Sequence, residues 1–275
     1  MQTIETKELS RSSKKPHETA LSQAAEELAF YISRRWPNTV QPPYPDVSNE
    51  PGAGLLEDNF EAIRDEVLER FGERPDEFRP NFTPYAYKEQ GWRTVNLYSY
   101  FLRDRTNCER FPITDSVVRQ IPDMSMAQIA VLNPRTQVKA HFGDTNGILR
   151  MHMGLVVPGT LPDLGIRMLR EDRCWEEGKV FAISISQRHF AWNDTDHHRI
   201  VLVVDRVRPE YHRRRFEVAS NALAVIAMKF VATQFPSLKD LPTPLTTATR
   251  KAIGLAFRAR IAAQRRGDLP NERKH

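Results

Sequence analysis

Three groups of polar residues stand where a purely structural β-sheet would carry apolar side chains. His141 closes the run TQVKAH and is followed by the turn Gly143-Asp144-Thr145-Asn146-Gly147. In ILRMHMGL, Arg150 and His152 alternate with Leu149 and Met151, so a period of two points the arginine and the histidine to one face. His189 comes ten residues before Arg199, which opens the run RIVLVVD. Two imidazoles from different strands can hold an octahedral iron(II) on one side and leave positions open for a chelating 2-oxo acid and dioxygen. An inward-pointing strand arginine can pair through both nitrogens with a carboxylate.

Spacing alone leaves that chemistry open. A strand histidine is more often a hydrogen-bonded core or surface residue than a ligand. The adjacent pair His197-His198 meets the same criterion, although neighbours on a strand point to opposite faces and at most one could enter a site. Arg150 taken by itself also fits a salt-bridged surface residue.

The elements that must position these residues are mainly β. Between Trp92 and Glu210 the sequence breaks into short runs rich in β-branched and aromatic residues: VNLYSYF, AQIAVLN, TQVKAHF, ILRMHMGLVV, IRMLR, KVFAISIS and RIVLVVDRV. One short helix, from Thr114 to Ile121, interrupts them. A parallel α/β sheet needs a helix between most strands, and there is no room for those helices; a sandwich or barrel follows. Upstream, Leu21, Ala24, Ala25, Leu28 and Ile32 fall at helical spacing, and Trp36-Pro37 ends that stretch. After a proline-rich connector, a second helix is expected from Leu55 to Phe71, with Phe60, Ile63, Val67 and Phe71 on one face. From Glu210 onward the chain reads as helical again, and its last helix, Thr246 to Arg266, is basic.

These patterns divide the chain into a disordered leader (1–18), a helical scaffold (19–90), a β core (91–210) and C-terminal helices (211–275). At 275 residues and 40% hydrophobic content, one sizeable core is the expectation. Cys108 and Cys174 lie too far apart in sequence to form a disulfide framework, which favours a reducing compartment and a cytoplasmic location. The apolar stretch Val218 to Phe235 is interrupted by polar residues, so it reads as a buried helix, and no membrane partner is expected. Net charge is +5, with basic clusters at Arg213-Arg214-Arg215 and from Arg258 to Lys274. Aromatic interleaving and zinc spacing are lacking, so a solvated basic face is expected instead of a nucleic-acid partner.

From Pro112 through Glu210 the sequence resembles the aspartyl/asparaginyl β-hydroxylase family. The segments that carry the resemblance, in order, are FPITDSVVRQIP, HFGDTNGILRMHMGLVVP, CWEEGKV, QRHFAW and RIVLVVDRVRPE, with LLEDNFEAIRDEV matching the helix before the family's core. The resemblance implies a double-stranded β-helix of the jelly-roll, cupin-like kind with flanking helices. It implies a dioxygenase that uses iron(II), O2 and 2-oxoglutarate to hydroxylate a C–H bond of an amino-acid residue, peptide or amino-acid-derived small molecule. His141 and His189 would be both catalytic residues and metal ligands. Arg199 would pair with the distal carboxylate of 2-oxoglutarate, and Arg150 and His152 would bind its other end or the substrate. Where related oxygenases have a carboxylate two residues after the first histidine, this chain has Gly143; the family is similar in lacking that ligand.

The chain also departs from the family pattern. Ala130 stands where animal relatives have a serine that helps hold 2-oxoglutarate, Ile148 where they have a second substrate-binding arginine, and Ser184-Ile185 near their acidic pair. An aspartyl substrate is therefore not expected. A non-catalytic β-barrel that binds a carboxylated ligand or partner is the alternative. The cavity opposite Arg199, around Ile148 and the strand at Tyr98, is where the substrate is expected to be read.

Overall fold

A computed structural model describes residues 41–81, 83, 91–235 and 242–268. The leader and the helix expected from Ala20 to Trp36 lie outside the described residues. Along the chain the elements are α1 (Pro51–Asp58), α2 (Phe60–Glu73), β1 (Arg79–Pro80), β2 (Trp92–Ser99), β3 (Leu102–Arg103), α3 (Arg105–Arg110), α4 (Pro112–Val118), β4 (Met124–Leu132), β5 (Thr136–His141), β6 (Ile148–Val156), β7 (Leu164–Met168), β8 (Glu171–Arg173), β9 (Val180–Ile183), β10 (His189–Asn193), β11 (Arg199–Val207), α5 (Arg215–Gln234) and α6 (Thr243–Asp268). Among the described residues, no helix is long and apolar enough to cross a membrane.

The strands form two antiparallel sheets. The larger runs β1-β2-β4-β11-β6-β9, with β3 on the far part of β2, and the smaller runs β5-β10-β7-β8. From β4 onward the chain crosses repeatedly between sheets: β4, β6, β9 and β11 lie in the larger, and β5, β7, β8 and β10 in the smaller. That alternation winds the double-stranded β-helix. Four strands, β1, β3, β8 and β10, join the seven runs legible in the sequence. Three of them are only two or three residues long, and β10 carries polar residues at both ends.

Period two divides the larger sheet into two faces with different tasks. On β6, Leu149, Met151, Met153 and Leu155 pack toward the helices, while Ile148, Arg150 and His152 face the space between the sheets. On β11, Ile200, Leu202 and Val204 take the helix side, and Arg199, Val201, Val203 and Asp205 the interior. All nine residues of β11 are buried because both faces are covered, in keeping with the continuous apolar stretch from Ile200 to Val204. Each fully buried aliphatic side chain in these layers contributes roughly 1.5–3 kcal/mol relative to exposure. Helix α1 approaches β6 closely at Gly52, where a Cβ would lie 2.8 Å from the Met151 side chain and 2.9 Å from that of Ile121.

The helix expected from Leu55 to Phe71 is two helices. Asn59 turns its side-chain amide back onto the Leu55 carbonyl at 2.8 Å, and its backbone leaves helical geometry there (φ −108°, ψ 14°). The shared face survives the break: Ile63 and Val67 are buried, with Phe60 and Phe71 packed against the same cluster. The helix expected from Thr114 to Ile121 begins earlier, at Pro112, and a further short helix, α3, precedes it with Asp104 as its cap. Past β11, Val218, Ala219 and Ala222 of α5 and Ile261 of α6 join the interior cluster.

The expectation that Tyr98 lines the cavity is corrected. An irregularity in the pairing of β2 with β4, between Asn96 and Tyr98, turns Tyr98 to the helix side, where its hydroxyl donates to Asp115 Oδ1 at 2.6 Å. Tyr100 takes the interior position instead, in a turn where both Tyr100 (φ 51°) and Phe101 (φ 68°) adopt left-handed backbone without glycine. The amide of Phe101, which donates to the Ser125 carbonyl at 2.7 Å, helps hold that strained turn.

Candidate active site

His141 and His189 face each other across the β5–β10 pairing in direct register. Simple alternation along β5 would send His141 outward with Gln137 and Lys139. The register shift between His189↔His141 and Ala191↔Val138 places three residues of β5 against two of β10, and this bulge rotates His141 to the interior. The two rings lie with centroids 4.3 Å apart. Each Nδ1 sits close to the carbonyl two residues back, His141 to Lys139 O at 2.7 Å and His189 to Gln187 O at 2.8 Å. A carbonyl only accepts, so both Nδ1 atoms carry the proton and donate it, and both Nε2 atoms present a lone pair. Burial first, then the neighbouring His189, holds His141 well below the usual histidine value. Burial lowers His189 to about 4. Both are neutral at pH 7, the state a metal ligand needs.

Among the described residues, no cluster of three or more His, Cys, Asp or Glu residues suited to a metal forms here or elsewhere. The position two residues beyond His141 is Gly143, and a Cβ built there would lie 2.6–2.8 Å from the side chain of Ile185. Asp144 is engaged by Lys229 at 2.8 Å. The two histidines thus fit a metal bound from one side, with no carboxylate among the described residues to complete a triad.

His152 is oriented by Trp175. The indole N–H donates to His152 Nδ1 at 3.2 Å, which leaves the proton of the neutral imidazole on Nε2; that atom is buried and has no partner among the described residues. Burial, with Arg150 and Arg199 adding to it, holds His152 well below the usual histidine value. Arg199 lies over the Trp175 ring, its guanidinium carbon 4.5 Å from the ring centroid. It is 3% exposed, its Nε has no partner, and no carboxylate pairs with it among the described residues. Burial pulls Arg199 down to about 9, well under an arginine's ordinary value. A buried guanidinium and a buried imidazole N–H, neither with a hydrogen-bond partner among the described residues and both against one tryptophan, could receive an anionic ligand.

Arg150 has a partner that the sequence did not reveal. Its Nε and Nη2 each donate at 2.7 Å to the two oxygens of Asp205, while the Nη1 side of the guanidinium stays available for the cosubstrate or a substrate carboxylate. Asp205 holds Arg150 charged against the burial that works the other way. Ala130 lies in the interior cluster beside Val201, and its other cross-strand neighbour is Thr94. His198 packs on Phe71, with ring centroids 5.3 Å apart, and His197 is exposed, so neither joins the site.

Sequence reasoning missed Trp175 and Asp205 as site residues. Asp205 had a legible signal: a carboxylate inside an apolar run, six residues from Arg199 and hence on its face. Trp175 had none beyond its place in CWEEGKV, because a loop residue's direction cannot be read from periodicity.

The fold and its comparisons define the class as a hydroxylase on a double-stranded β-helix. The chain belongs to the aspartyl/asparaginyl β-hydroxylase family, whose model matches residues 57–209. It is 32% identical over 191 residues to the ornithine lipid ester-linked acyl 2-hydroxylase of Rhizobium tropici, a match covering 67% of each chain. It is 32% identical over 161 residues to the human aspartyl/asparaginyl beta-hydroxylase, covering 56% of this chain but only 21% of that protein. Among solved structures, a Trichoplax adhaerens prolyl hydroxylase in complex with a peptide fragment is 11% identical, covering 73% of this chain and 97% of that one at a TM-score of 0.43.

Proposed function

We propose that the chain is an iron(II)- and 2-oxoglutarate-dependent dioxygenase that hydroxylates a C–H bond of an amino-acid residue, peptide or amino-acid-derived molecule, releasing succinate and CO2. The observation that carries this reading is Arg199, a buried cation with no counterion among the described residues, beside the Nε2–H of His152, which has no partner among them either. A dicarboxylate supplies what both lack. His141 and His189 would hold the iron through Nε2, their orientation set by the backbone carbonyls of Lys139 and Gln187. Arg199 would bind the distal carboxylate of 2-oxoglutarate, and His152 would donate from Nε2 to the same ligand. When bound, the metal together with 2-oxoglutarate and O2 supplies the oxidising power that protein side chains lack. The barrel's own work is to keep the two imidazoles neutral, exclude water from the ligand pocket and fix the ligand's orientation against Trp175.

The names of the relatives support a hydroxylated C–H bond on an amino-acid-derived molecule. The rhizobial protein's name places its reaction on an acyl chain of an ornithine lipid, and the human protein's on aspartyl and asparaginyl residues. The test is the fate of 2-oxoglutarate in air. Succinate should form with iron(II) and fall to background in His141→Ala and His189→Ala. Tight binding of 2-oxoglutarate with no succinate from any candidate substrate would leave the non-catalytic barrel as the correct reading.

A further inference from the structure

Helix α6 carries the basic cluster that the proposed reaction does not use. Between Thr243 and Gly267 the sequence has six arginines and lysines and no acidic residue. One face of the helix is docked. Gly254 faces Ser220 and Ala224 of α5, Ile261 is buried in the interior cluster, and Gln264 exchanges two hydrogen bonds with the backbone of Arg103, at 3.1 and 2.8 Å. Arg265 lies over the ring of Phe216, near the start of α5, so the two helices run antiparallel and α6 begins toward the end of α5.

The opposite face is apolar and exposed. Leu245, Ala252, Leu255, Ala256, Ala259 and Ala263 fall on one stripe of a 3.6-residue helix, and each is open to solvent. Leu255 is 68% exposed, and Phe235, just past the end of α5, is 62% exposed. With Leu245, Phe230 and Val231, five of the nine large hydrophobic side chains exposed among the described residues belong to this helix pair. Single exposed apolar side chains are ordinary, whereas a cluster rimmed by polar groups marks a contact surface.

The rim is basic. At about 100° per residue, Lys251 and Arg258 project to one side of the stripe and Arg260 to the other, all three exposed. Glu217 of α5, whose carboxylate feels Arg258, is held by two nitrogens of Arg214 at 2.6 and 3.0 Å.

We propose that this face of α6 docks the protein on an anionic lipid membrane, with the helix lying in the plane of the surface. Leu245, Leu255 and the exposed end of α5 would enter the boundary between headgroups and acyl chains, and Lys251, Arg258 and Arg260 would meet lipid phosphates. The expectation of no membrane partner rested on the lack of a span, which a helix lying in the plane does not need. A second copy fits the face poorly, because pairing two stripes would set the same cations against one another. Nucleic acid would satisfy the rim but leave the leucines with nothing to bind. The proposal is independent of the metal and 2-oxoglutarate reading.

The test is cosedimentation of the full chain with phosphatidylcholine vesicles, with and without phosphatidylglycerol. Partitioning should be at least tenfold stronger on the anionic vesicles. Lys251→Gln with Arg260→Gln should weaken it at least tenfold, since each cation near such a surface is worth about fivefold. Leu255→Gln, a change at an exposed position that keeps a good helix former, should weaken it at least threefold. Equal partitioning on both vesicles, or none on either, overturns the proposal. So does binding that Leu255→Gln leaves unchanged and salt abolishes, which is adsorption by charge alone. A dimer in sedimentation velocity that dissociates in Leu255→Gln also overturns it, by showing that a second copy covers the face.

Discussion

The amide of Gly143 donates to the carbonyl of Ile185 at 2.6 Å, and the Ile185 side chain occupies the space that any Cβ on residue 143 would need. The turn after His141 is therefore docked onto the strand end before His189. A third ligand cannot be restored by changing residue 143 alone. Gly143→Asp should bind iron(II) at least several-fold more weakly than the unmodified chain, because the displaced turn carries His141 with it. Adding Ile185→Ala should recover metal affinity. Metal titration of the three proteins decides this, and a single Gly143→Asp variant that binds iron more tightly would contradict the packing account.

Arg199→Met should cost about 2–5 kcal/mol of 2-oxoglutarate affinity, since the ligand's carboxylate would be left buried without its cation. Calorimetric titration gives the number directly. Arg199→Lys should fall between, because it keeps the charge but loses the planar fork.

Trp175→Phe keeps a ring beneath Arg199 and removes the N–H that fixes His152. Its 2-oxoglutarate affinity should fall by an amount on the order of 1 kcal/mol, the net worth of one hydrogen bond. Nitrogen NMR of the His152 ring should show the proton no longer confined to Nε2. Unchanged tautomer populations would remove Trp175 from its positioning role.

Stability of the metal-free protein should fall with acid in a defined window. His189 is neutral when folded, with its value lowered from 6.5 to about 4, whereas the unfolded chain takes up a proton near 6.5. The unfolded state therefore binds more protons below pH 6.5. The contribution is complete above that pH and is lost as pH falls through about 4, amounting to about 3 kcal/mol from this residue. His141 acts in the same direction. Urea unfolding from pH 7.5 to 4 measures it; a flat profile would show that the rings are not buried as neutral groups.

Much of the barrel was legible because period two needs no tertiary knowledge. The alternation of Arg150 and His152 with Leu149 and Met151 predicted both faces of β6, and RIVLVVDRV was legible as a strand from its β-branched residues. The inward turn of His141 was not legible from alternation, because a bulge in β5 reverses the parity. The same kind of irregularity in β2 moved Tyr98 out of the cavity and left Tyr100 in it. Arg150 was correctly seen to face the interior, but its partner depends on the register that sets Asp205 opposite it, and register is a property of two strands together. Asn59 broke a helix whose hydrophobic spacing continues across the break, because one side-chain amide competed for a backbone carbonyl.

The central claim is that His141, His189 and Arg199 build one site for iron(II) and 2-oxoglutarate, and anaerobic absorption spectroscopy tests it most directly. Adding 2-oxoglutarate to the iron(II)-loaded chain should produce a weak visible charge-transfer band. The band should be missing in His141→Ala and His189→Ala, and in Arg199→Met it should need far more 2-oxoglutarate to appear. No band in the unmodified chain, or an equal band in the histidine variants, would contradict the account.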